Sequence, residues 1–156
     1  MGVRLLFQFK STPSYGFFGM SGGSSISVYS NGKVIKRKYV MGNNKAVEEQ
    51  TIACIPEMAE IIECLIISHK EELDEVPENL CNGSLDGTHD CFKFGEKSIS
   101  SWNIRKCDIE EVKERNLSYY TYYKDNMEYE NTVIEIYNEI ANTINSYVKG
   151  VDMWIY

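Results

Sequence analysis

A chain of 156 residues with 43% apolar and 25% charged residues has the size and composition of one folded domain, not of a disordered segment. No apolar run approaches the roughly 20 residues needed to span a bilayer, and a net charge of −7 argues against a nucleic-acid-binding protein. The charge is segregated. Residues 1–45 hold seven basic residues and no acidic one, which leaves nine basic against 23 acidic residues in 46–156. Either a basic sheet neutralises acidic helices, or an acidic surface faces a basic partner. Five cysteines without a C-x-x-C pair suit reduced thiols in a cytoplasm. The apolar patch over 3–9 is broken by Arg4 and Gln8, unlike a signal peptide.

Residues 3–9 alternate as a strand, with Leu5, Phe7 and Phe9 on one face. A Gly/Ser-rich loop is expected over 11–25. Two β-rich runs, 25–30 and 33–40, flank Asn31-Gly32, the signature of a type I′ hairpin. Residues 46–55 fit a further strand or the first turns of a helix. Pro56 then suits a helix N-terminus, and Met58, Ile62, Leu65 and Ile66 repeat at helical spacing to about His69. Residues 71–78 read as an acidic linker.

A second hairpin is expected within 80–104, with strands at 91–94 and 98–104 turning at Gly95-Glu96-Lys97. Asp108 and Glu111 form a capping-box-like pair for a short helix ending near Arg115. Residues 117–124 are read as strand or loop. Asp125 and Glu128 then resemble a cap for a long helix, whose stripe runs through Val133, Ile136, Tyr137, Ile140 and Ile144 to the C′ residue Gly150. The tail 151–156 is apolar enough to dock as a last strand or to close over the core. The order predicts a single α+β domain: a mainly antiparallel sheet of five to seven strands, two main helices and one short helix.

Four groups of residues are candidates for function. Asp86, His89 and Cys91 bring a carboxylate, an imidazole and a thiol close together, as a thiol- or metal-dependent hydrolase requires. The same stretch fits a polar turn feeding a strand, and that reading takes precedence because catalytic groups usually converge from distant segments. The loop from Gly16 to Ser25, with Lys33 and Lys36 nearby, is a candidate small-ligand or phosphate site, although no Gly-Lys-Ser/Thr follows. Phe17 and Phe18 are unusual in such a loop and suggest contact with a partner. Tyr119, Tyr120, Tyr122 and Tyr123 suit an interface or a half-buried sheet face equally. Lys33, Lys36, Arg37 and Lys38 with Tyr29 and Tyr39 have the composition of a nucleic-acid surface, but a solvated strand face explains them more simply. No cofactor or metal is expected.

The run Leu80-Cys81-Asn82-Gly83-Ser84-Leu85-Asp86-Gly87, then Phe92, Phe94 and Ser101-Trp102-Asn103-Ile104, resembles small bacterial proteins of immunity or uncharacterised type. It covers about a sixth of the chain. The resemblance implies an acidic, non-enzymatic binding protein, such as an immunity-type or phage-encoded inhibitor of a toxin or nuclease with a basic surface.

Overall fold

The computed structural model describes residues 2–84 and 87–156. Among these residues six antiparallel strands form one sheet: β1 (Leu5–Pro13), β2 (Ser21–Tyr29), β3 (Lys33–Val40), β4 (Glu48–Cys54), β5 (Thr88–Phe94) and β6 (Lys97–Trp102). Their spatial order is β4-β3-β2-β1-β5-β6, so the N-terminal strand lies inside the sheet. Helix α1 (Pro56–Ser68) and the one-and-a-half-turn α2 (Lys70–Glu75) carry the chain from edge strand β4 across to β5. Helices α3 (Ile109–Arg115) and α4 (Leu117–Tyr147) follow β6. This is the expected α+β architecture, with two main helices and two short ones.

Strand alternation explains why only one face is covered. Phe7 pairs with Phe94 and Val28, and Phe9 with Phe92 and Ile26. These side chains join Val34 and Ile99 in a core completed by Met58 and Ile62 of α1 and by Val133, Tyr137, Ile140 and Ile144 of α4. Tyr137 sits at its centre, with its ring 5.0 Å from Phe9, 5.6 Å from Phe92 and 6.2 Å from Phe7. The alternate residues Gln8, Lys10, Ser27, Arg37, Tyr39 and Cys91 form the helix-free face.

Several local expectations are corrected. The loop over 11–25 is mostly strand, because β1 runs to Pro13 and β2 begins at Ser21. Gly23 allows this extension: it adopts φ 88° at a register shift, where a Cβ would collide with the Ser11 carbonyl. The first hairpin turn is not type I′. Gly32 has φ 90° but Asn31 does not have positive φ, and Gly32 N–H bonds to Tyr29 O, as in a three-residue loop with glycine at the bulge. The open choice at 46–55 resolves as strand.

The acidic linker over 71–78 is partly helix α2, anchored by buried Leu73 and a Lys70–Asp74 ion pair of 2.6 Å. Residues 117–124, read as strand or loop, are the first turns of α4. Asn116 Oδ1 caps them by accepting from Tyr119 N–H at 3.1 Å, so Asp125 and Glu128 lie within the helix instead of at its start. Asp108 does cap α3, accepting from Glu111 N–H, while the Glu111 carboxylate turns to Arg115 at 2.8 Å. The tail closes over the core without forming a strand. Among the described residues no helix is long and apolar enough to cross a membrane.

Candidate functional site

His89 and Cys91 do share a face of β5, two residues apart, as strand geometry requires. Cys91 Sγ lies 3.6 Å from His89 Nδ1. The surroundings do not activate the pair. Burial pushes the Cys91 thiol up from its ordinary value, although Lys10 and Lys93 pull it down. The imidazole stacks on Trp102 with ring centres 4.6 Å apart, and no carboxylate of the described residues bonds to it. Asp90 points to the opposite face, where it is buried and accepts from Ser11 Oγ at 3.0 Å and Ile104 N–H at 3.1 Å. Asp86, the third member of the expected constellation, lies outside the described residues. Among the described residues no three His, Cys, Asp or Glu side chains converge as metal ligands. A thiol held in its neutral form is a slow nucleophile. Cys91 is therefore expected to react with iodoacetamide at pH 7 more slowly than the exposed Cys54, Cys64 and Cys81. Peptide mass spectrometry over a time course measures this, and a faster Cys91 would restore the thiol-hydrolase reading.

Lys33 lies away from the glycine-rich segment, whereas Lys36 reaches its last two residues. Lys33 borders the Gly32 turn and pairs with Cys54, whereas Gly19 bonds to Met41 at the far end of β3. Lys36 lies on the covered side of the sheet and lines a cleft with Ser24 and Ser25. Arg37 is fully engaged on the helix-free face, bonding to Glu49, to Ser27 and to the Tyr29 hydroxyl at 2.9 to 3.1 Å. Lys10 sits 4.0 Å above the Tyr39 ring. On the helix-free face Arg37, Lys10 and Tyr39 are thus engaged within the domain.

The expected partner-binding aromatics divide. Phe17 and Phe18 are 83% and 86% exposed on the β1–β2 connection, beside exposed Tyr15 and Met20. Tyr122 is 82% exposed on α4. Tyr119 is half-buried: its hydroxyl donates to Asn82 O at 2.7 Å and its ring packs 4.6 Å from Tyr123. Tyr120 lies under Lys113 Nζ at 5.3 Å.

Two features escaped the residue-by-residue reading. The first is an acidic ridge along α1 and α2. Residues 57–78 carry eight acids against Lys70 alone, a charge of −7 in one stretch. Glu63 pairs with Arg4, Glu72 with His69 and Asp74 with Lys70. Glu57, Glu60, Glu71, Glu75 and Glu78 have no cation partner among the described residues. Glu57, Glu60, Ile61 and Cys64 line one open surface of α1, and Ile67 is 63% exposed. The density of acids was visible in the sequence, but their shared exposure was not. The second is Glu130, fully buried on α4, whose Oε1 accepts from Ser101 Oγ at 2.8 Å and Asn82 Nδ2 at 3.0 Å. No local pattern distinguishes it from the surface acids of α4.

No protein-family model matches this chain, and no curated protein matches it.

Proposed function

We propose that the protein is a binding protein that docks its acidic α1–α2 ridge on a basic protein surface. The observation that carries this reading is a set of five carboxylates with no cation partner among the described residues, on a stretch that also exposes Ile61 and Ile67. Charge of one sign steers encounter with a partner of the opposite sign. An apolar side chain within the charged field supplies area to bury after contact. Exposed Tyr122, Phe17 and Phe18 offer further aromatic contacts. The partner class that fits is a toxin or nuclease with a basic working surface, blocked as an immunity-type or phage-encoded inhibitor would block it.

Affinity capture from source lysate tests the reading, with the wild-type protein and a Glu57→Lys, Glu60→Lys, Glu71→Lys, Glu75→Lys variant. One dominant basic protein should be held at low salt, released at about 0.5 M salt where charges are screened within a few ångströms, and lost by the variant. Equal capture by both forms, or no specific protein on the wild type, overturns it.

A further inference from the structure

The C-terminal tail builds one wall of a cleft. Asn138 and Asn145 are seven residues apart on one face of α4, and each amide grips one tail residue by its backbone. Asn145 Oδ1 accepts from Met153 N–H at 2.7 Å while its Nδ2 donates to Met153 O at 3.0 Å. Asn138 does the same with Tyr156, at 3.0 and 3.1 Å. Between them the Tyr137 hydroxyl donates to Trp154 O at 2.9 Å. A segment without regular structure is thereby held in one place.

Opposite this wall stand β2, β3 and β4, and the space between is about 400 Å³, at the lower end for ligand pockets. Its walls are chemically divided. Ile26, Ile52 and Met153 are apolar, and the 70%-exposed Trp154 stands at the rim. Lys36 and Lys149 line the same cleft, and neither forms an ion pair within the described residues. Asp152 is the one acidic residue among the described residues of the lining, which together carry a net single positive charge.

We infer that this cleft is a binding site for a small amphipathic monoanion, a carboxylate on an apolar body. Its carboxylate sits between Lys36 and Lys149 and its apolar part lies on Ile26, Ile52 and Met153. Charge-assisted hydrogen bonds to the two lysines set the preference for an anion, and one negative charge balances the lining. The site is separate from the acidic ridge and does not depend on the protein-binding reading.

Octanoate is a suitable probe, followed by ¹H–¹⁵N spectra of the two tryptophan indoles, with the Trp154 signal assigned by Trp154→Phe. Octanoate should shift the Trp154 indole saturably and leave Trp102 in place. Octylammonium, which has the same chain and the opposite charge, should not shift it, nor should inorganic phosphate at matched ionic strength. The Lys36→Gln, Lys149→Gln variant should keep a dispersed spectrum and bind octanoate about tenfold more weakly or less. No saturable shift, an equal response to octylammonium or phosphate, or unchanged affinity in the variant overturns the assignment. Each of these readouts is independent of partner capture.

Discussion

Replacing Tyr137 with alanine should cost about 3–5 kcal/mol, the range for deleting a fully buried aromatic ring. Tyr137 is 1% exposed and its ring meets Phe7, Phe9 and Phe92 below and Tyr156 above at 5.4 Å. The loss removes the ring's own burial and leaves a cavity that sheet and helix together cannot refill. A domain stability of about 5–15 kcal/mol leaves little margin for it. Tyr137→Phe keeps the ring and loses only the bond to the Trp154 carbonyl, at about 1 kcal/mol. Its neighbours Asn138 and Asn145 still hold the tail. Urea unfolding followed by circular dichroism gives both values. If alanine costs no more than phenylalanine, the ring is not the keystone between layers.

Glu130 governs the second large effect. Burial raises its pKa above the ordinary carboxylate value, opposed by hydrogen bonds from Ser101 and Asn82 and by the charge of Arg105. Its Oε2 and Asn126 Nδ2 are both buried without a hydrogen bond of good geometry. A raised folded-state pKa means that the native protein holds this proton more tightly than the unfolded chain. The stabilisation is complete below the unfolded pKa, declines as pH rises through the folded one, and then levels off. Asp90, buried and also shifted upward, adds a slope of the same sign. Denaturant unfolding between pH 4 and 7 should therefore show falling stability for the wild type and a shallower fall for Glu130→Gln. Glu130→Ala should lose about 3 kcal/mol at pH 4, from its cavity and the stranded Ser101 hydroxyl, and less as pH rises, because it lacks the carboxyl whose ionisation weakens the wild type. A wild-type profile that rises over this range, or an unchanged slope in Glu130→Gln, contradicts a raised native pKa for Glu130.

The candidate surfaces differ in how far residues alone revealed them. The aromatics of the β1–β2 connection were conspicuous because Phe17 and Phe18 stand in a stretch of glycine and serine. Both are exposed on the connection, where the Phe18 ring lies over Gly42 and leaves most of its area to solvent. The acids of 57–78 were equally conspicuous, but spacing alone separates those that meet Arg4, His69 or Lys70 from those that do not only after the helices are placed. The Lys36–Lys149 cleft joins residues more than 100 positions apart, and no local pattern brings them together.

Alternation, helical spacing and the turn and cap residues by themselves determined the α+β class, the two hairpins, α1, α3 and the buried stripe of α4, because these depend on side chains within a few turns or residues of one another. Tertiary structure decided the rest. A single glycine at Gly23 let the strands run on through what composition marks as loop. The Asn116 cap and the Tyr119–Asn82 bond drew tyrosines with a β preference into α4. The placement of β1 inside the sheet, the burial of Glu130 and the grip of Asn138 and Asn145 on the tail all rest on contacts between residues distant in the chain. Such contacts set the free energy of a segment without leaving a period in its sequence.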